Sequence, residues 1–439
     1  MKLIVLSITL VTFFFSQIQP ALAFCGFFVA TADTKLYNQA SQVIIARDEN
    51  RTILTLANDY QGAAKDFALV VPVPVVLQKE QVHVGNPTVL ERLDAFSSPR
   101  LVEYFDANPC QINYPAEERI MRSDAPSSAG AMKKARNEAK DLGVTVEAKF
   151  SVGEYDILIL SAKESNGLET WLVNNNYKIP PGASKALRPY ILTGMKFFVA
   201  KVNLGEYNKN GFNRLRPLMM AFESPKFMLP IRLGMLNAKG EQDLIIYILS
   251  PKGQAELSNY RLVKVPSDAE IPEYVQTEFK KFYKSMFEKS YERENKKVAF
   301  LEYAWDMASC DPCSAQPLTP QELKEAGVFW LDSPSSRGVF ISRIHVRYSR
   351  ETFPEDLQFQ ATANRELFQG RYIIRHPYRG EDKCEAMSAY QKSLSVRLEK
   401  EATTLAQLTG TDVNIIRNKM KLPSSSVQQQ KNWWNQIWH

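Results

Sequence analysis

Cys310 and Cys313, in the stretch Trp305-Asp-Met-Ala-Ser-Cys-Asp-Pro-Cys-Ser314, have the spacing of a dithiol redox motif. In that chemistry a low-pKa thiolate attacks a disulfide, and the second cysteine resolves the mixed intermediate. The attacking thiolate is usually helped by the positive end of a helix that starts at it. Here Pro317 and Pro320 intervene, and Thr319-Pro320-Gln321-Glu322 is a capping box, so the spacing predicts a helix that starts near Pro320. Asp311 also sets a negative charge beside both sulfurs, which raises a thiol pKa. These residues favour a structural disulfide, with thiol-disulfide exchange through Cys310 and Cys313 as the alternative.

The same cysteines have a metal reading. Cys310, Cys313 and Cys384 with His345 or His376 reach four zinc ligands on count, but only one half of that set has close spacing, and no metal is expected. The chain has no Gly-x-Ser-x-Gly, no Ser-x-x-Lys, no Gly-x-x-x-x-Gly-Lys and no Gly-x-Gly-x-x-Gly. No catalytic residue is assigned and no cofactor is implied.

A second set of residues has directional content. Gly338 to Ser349 alternates: Phe340, Ile344, Val346 and Tyr348 share one strand face with Ser342, and Arg343, His345 and Arg347 share the other. Leu357 to Ala361 and Gly370 to His376 read as sheet neighbours, the latter adding Arg371 and Arg375. Guanidinium forks suit phosphate or carboxylate, so these five residues are candidates for anion binding. Cross-strand pairing with Asp or Glu is the competing reading.

The elements that must position these residues belong to a globular chain. Its 439 residues are 45% hydrophobic and 23% charged, enough for two domains or one large domain with insertions. Met1-Lys2, an apolar run Leu3 to Phe15 and Ala21-Leu22-Ala23 read as a signal peptide over residues 1–23, and no later stretch is long enough to span a membrane. Export, to a periplasmic or extracellular location, places Cys25, Cys110, Cys310, Cys313 and Cys384 under oxidising conditions, where disulfides persist. Cys310–Cys313, or one of that pair with Cys384, and Cys25–Cys110 are the expected bonds. The net charge of +6 is mild for this length and does not point to nucleic acid.

Along the chain, 24–266 reads as a β-rich part with a surface insertion at about 106–143. Strands are expected over Ser41–Arg47, Arg51–Ala57, Asp66–Val73, Val144–Val152, Asp156–Ser161, Met195–Val202, Leu215–Phe222, Met228–Met235 and Leu244–Leu249. Short helices are expected over Pro87–Phe96, Leu168–Asn174 and Ala183–Leu192. Residues 267–422 carry two long amphipathic helices, one from Ile271 to near Lys297 and one over Met387–Leu408 with Gly410 as its stop, beside a small antiparallel sheet. Lys280, Lys281, Lys284 and Lys289 interleave with Glu278, Glu288, Glu292 and Glu294, which reads as a solvated helix face. The polar and Trp-rich tail, 423–439, reads as docking on its own domain. The fold class expected is α+β with mainly antiparallel sheets.

Cys25-Gly26-Phe27-Phe28, the Val-Pro steps of Phe67 to Pro74, Gly153-Glu154-Tyr155-Asp156, Leu168-Glu169-Thr170-Trp171-Leu172 and Phe197 to Lys201 together resemble an exported bacterial family catalogued only as a domain of unknown function. The resemblance extends through Cys310 to Cys313 and Phe353 to Asp356, and it implies export without implying an activity. A non-catalytic binding or scaffold module of the cell envelope is the function expected, and an anionic envelope polymer or envelope protein is the partner class it suggests.

Overall fold

Runs such as Leu244 to Leu249 and Val298 to Leu301 are too continuously apolar to leave one face in water, and the strands that carry them lie mid-sheet with both faces covered. The computed structural model describes residues 27–422 apart from 31–36, 39–40, 58–59, 62–66, 112–142, 176, 178–179, 210–214, 237–239, 312, 314 and 333–337. The expected signal peptide, Cys25, most of the insertion and the Trp-rich tail lie outside the described residues.

The principal elements run β1 Phe27–Ala30, β2 Ser41–Asp48, β3 Arg51–Ala57, β4 Phe67–Val73, β5 Val82–Val84, α1 Pro87–Ser97 and β6 Arg100–Phe105. Next come β7 Val144–Val152, β8 Tyr155–Ala162, α2 Ser165–Asn174, α3 Ala183–Leu192, β9 Lys196–Val202, β10 Leu218–Glu223, β11 Gln242–Ser250, β12 Arg261–Lys264 and β13 Ala269–Glu270. The rest is α4 Phe279–Arg293, β14 Val298–Asp306, α5 Pro320–Glu325, β15 Phe340–Tyr348, β16 Arg371–His376, α6 Glu385–Thr409 and α7 Val413–Met420.

The protein is α+β, and its pairing is mostly antiparallel. The largest sheet runs β12-β14-β15-β11-β2-β3-β10-β5, with β12–β14 and β11–β2 parallel. A five-stranded sheet, β1-β4-β9-β8-β7, is wholly antiparallel. The two sheets bury a shared core in which Val43, Ile45 and Leu54 meet Leu69, Val71 and Ile157. Helices α2 and α3 cover the outer face of the smaller sheet through Leu168, Leu172 and Leu187. On the outer face of the larger sheet, α1 and α5 pack Leu93, Phe96 and Leu323 against Tyr247 and Ile341.

Residue 266 falls inside this architecture: β14 and β15, which follow it, share the central sheet with β11 and β2, which precede it. Helix α1 is capped as its sequence predicts, with Asn86 accepting from the Thr88 amide and Pro87 in the first turn. Of the two long helices, α6 runs 25 residues and stops at Gly410, whose φ of 72° suits glycine. The other opens as a 3-10 segment, Glu273–Glu278, before the 15 residues of α4.

Three expectations are corrected. Met228 to Met235 is a strand only over Met228–Leu229, since Pro230 has no N–H to continue a ladder. Leu357–Ala361 pairs with Met228–Leu229 and Ala255–Leu257 instead of β15. The small C-terminal sheet is parallel: β16 lies between β13 and β6.

Candidate functional site

Alternation along β15 does place Arg343, His345 and Arg347 on one face, but neighbouring strands and helices bring acids to that face. Opposite Arg343, β14 carries a bulge: Leu301 pairs with Ile344 and Tyr303 with Arg343, which leaves Glu302 as the extra residue. Leu301 and Ala304 stay in the core between the sheets while Tyr303 joins the opposite cluster, so the bulge turns two consecutive side chains outward. Glu302, 1% exposed, accepts from Arg343 Nε at 2.6 Å and from the Tyr283 hydroxyl of α4 at 2.5 Å, and lies 2.7 Å from His345 Nδ1.

Asp243, the second residue of β11, lies opposite Arg347. Its carboxylate accepts from Arg347 Nε and Nη2 at 2.8 Å each and lies 3.1 Å from His345 Nε2. Asp94 of α1 accepts from Arg343 Nη1 at 2.7 Å and from the Tyr247 hydroxyl at 3.0 Å. Three cations thus face three carboxylates. The His345 ring also stacks on Phe287 of α4 with centroids 4.0 Å apart, and the Arg347 guanidinium lies 5.0 Å from the same ring.

This lattice fixes protonation. Burial opposes a charge on His345, but Glu302 and Asp243 outweigh it and raise its pKa to about 9. Burial would raise Glu302, yet His345 and Arg343 bring it down to about 2. Asp243, against the same burial cost, is held well below the carboxylate range by His345 and Arg347. Both imidazole nitrogens are occupied and the ring is an imidazolium at neutral pH, so it has no lone pair with which to act as a general base.

Beside the lattice is a cleft of about 430 Å³, between α4 and the Ser98-Pro99 turn that follows α1. Phe279, Tyr283 and Phe287 form its apolar part, Arg343, His345 and Arg347 line it together with Glu302 and Asp243, and the exposed Lys280 and Lys284 also belong to the lining. A volume in this range is ordinary for a small-molecule site.

Arg371 and Arg375 do not widen this face. They sit on β16, in the parallel sheet, where Arg371 is bonded to Asp268 and Arg375 reaches Glu270 at 3.4 Å. Each of the five residues expected to bind anions is therefore paired with an acid.

Cys310 and Cys313 are joined to each other. Helix α5 starts at Pro320 with both halves of the Thr319–Glu322 capping box made, so it does not begin at the sulfurs. Cys384 bonds Cys110, which corrects the expected Cys25–Cys110 pair. The register of β6 on β16 brings the two segments together: Phe105 lies opposite His376, and beyond the strands Asn108 donates to Asp382 at 3.0 Å, close in sequence to Cys110 and Cys384. His376 itself lies between Glu103, 2.7 Å away, and Glu273, 3.1 Å away. The cysteines and histidines of the zinc reading are thus dispersed, and the described residues contain no cluster of three or more metal-ligating side chains.

Glu302, Asp243, Asp94 and Tyr283 belong to no motif that the sequence displays. Two of the acids do leave a trace: Glu302 is a lone carboxylate in an apolar strand, and Asp243 immediately precedes one. Glu154, in the Gly153-Glu154-Tyr155-Asp156 stretch, is a further buried acid, and it accepts from the Arg216 amide at 3.0 Å and from Arg216 Nη2 at 2.6 Å.

The protein is thus α+β, with a charge-lined cleft beside its central sheet. A family model described as "Uncharacterized protein conserved in bacteria (DUF2330)" matches residues 19–360, and the chain belongs to that family. No curated protein and no solved structure matches it. Among the described residues, no helix is long and apolar enough to cross a membrane.

Proposed function

We propose that this protein is an exported, non-catalytic binding module of the cell envelope, and that its ligand enters the cleft beside His345. The observation that carries the reading is the satisfied lattice: Glu302 and Asp243 occupy both ring nitrogens of His345, which makes the wall a rigid, pre-organised surface without a free base. Export is supported by the character of residues 1–23 and by two disulfides, which persist in oxidising compartments. Thiol-disulfide exchange is the weaker reading, because the helix after Cys313 starts seven residues beyond it.

A thermal-shift titration with soluble envelope glycan and polyanion fragments tests this on the wild type and on Ser98→Trp, which fills the cleft from its rim. A saturable stabilisation lost in Ser98→Trp is expected. Chemical conversion of a fragment, or stabilisation that Ser98→Trp leaves unchanged, overturns the reading.

A further inference from the structure

We infer that the cleft takes a small ligand with a flat apolar body and one anionic group of the carboxylate, sulfonate or phosphate class, an inference that rests on the cleft being a binding site. Three arginine and histidine cations on its wall are already balanced by Glu302, Asp243 and Asp94, so they leave little net charge. The excess comes from Lys280 and Lys284, one turn apart on α4 and both in the lining. Neither makes an ion pair among the described residues: Glu278 is bonded to Lys419 instead, and Glu288 is not in ion-pair contact with Lys284. Like charges at this spacing cost helix stability, and an anion in the cleft relieves that cost.

Two further features fit the same ligand. Arg343 donates through Nε and Nη1, and Arg347 through Nε and Nη2. The remaining terminal nitrogen of each has no hydrogen-bond partner among the described residues, so the lining keeps unused donors. Phe279, Tyr283 and Phe287, at helical spacing on α4, add an aromatic surface to the lining beside these charged groups, suited to an apolar body.

The test compares two fluorescent probes with the same aromatic body on the folded, disulfide-bonded protein. One is 8-anilinonaphthalene-1-sulfonate, the other its uncharged counterpart N-phenyl-1-naphthylamine. The sulfonate is expected to saturate a single site about tenfold more tightly than the amine. The double variant Lys280→Ala/Lys284→Ala should erase that advantage and leave the amine unchanged, and Ser98→Trp should block both. Because both lysines are exposed, the double variant keeps the fold, and an unchanged melting temperature checks this. Equal affinity for both probes, blocked by Ser98→Trp and indifferent to the lysines, overturns the anionic class while the binding cleft stands. Binding of either probe that ignores Ser98→Trp, or no binding at all, removes the cleft reading and this inference together.

Discussion

His345→Gln isolates the lattice through its pH dependence. The imidazole pKa rises from an ordinary 6.5 to about 9 in the folded protein. Each unit corresponds to about 1.4 kcal/mol, so the folded state gains roughly 3 kcal/mol from holding this proton. For a raised pKa the gain is complete below the unfolded value and is lost as pH rises through the folded one. Wild type should therefore exceed His345→Gln by a margin that is constant below about pH 6.5 and shrinks by roughly 3 kcal/mol by pH 9. Urea denaturation at half-unit pH intervals measures the margin, and the imidazole NMR signal should show a midpoint near 9. The depressed pKa of Glu302 is the same contact seen from its partner, so the two effects are not added. Its sign is opposite: stability is present above the ordinary value of 4.5 and is lost as pH falls through about 2. A margin independent of pH, or an imidazole midpoint near 6.5, would refute the claim that the acids hold His345 charged.

Other perturbations separate buried from exposed chemistry. Arg343→Ala strands Glu302 and should cost about 3–5 kcal/mol, whereas Arg371→Ala, whose partner Asp268 is 57% exposed, should cost at most about 1 kcal/mol; denaturant midpoints compare them. Cys384→Ser opens a link between residues 274 apart and should lower stability by about 2–5 kcal/mol, with a non-reducing peptide map confirming Cys110–Cys384 in the wild type. Gly153→Ala should cost about 2–3 kcal/mol in a thermal melt, since Gly153 has φ +55° and an added Cβ would lie 2.7 Å from Val84 Cγ2 and 2.9 Å from Arg216 Nη2.

Much of the fold is legible in local pattern. Asn86-Pro87 and Thr319-Pro320-Gln321-Glu322 specify helix starts through contacts within one turn, and both helices begin there. The alternation of Phe340 to Tyr348 gives the face of each side chain on β15 because a strand's period is two. Strand partnership is not local in this way. Gly370 to His376 has the composition of a neighbour to β15, yet it pairs with β13 on one side and on the other with β6, about 270 residues earlier in the chain. Local pattern misplaces Arg371 and Arg375 for that reason, and it hides the pairing of Cys110 with Cys384 for the same one.

The site itself shows where sequence pattern ends. Arg343, His345 and Arg347 are visible as a basic triplet because they share one strand, but their meaning depends on acids drawn from α1, β11 and β14. A single inserted residue decides the outcome: without the bulge at Glu302, strict alternation would not put Glu302 and Tyr303 on the same side of the sheet. The sheet would then present Arg343 and His345 with one carboxylate fewer, and the basic face expected from β15 alone would be closer to the truth. An apolar strand interrupted by one acid, accompanied by a strand that alternates with cations, is thus a pattern that amino-acid order alone can reveal. Its physical basis is that a buried carboxylate persists only where neighbouring strands or helices supply charge and hydrogen bonds to compensate its desolvation.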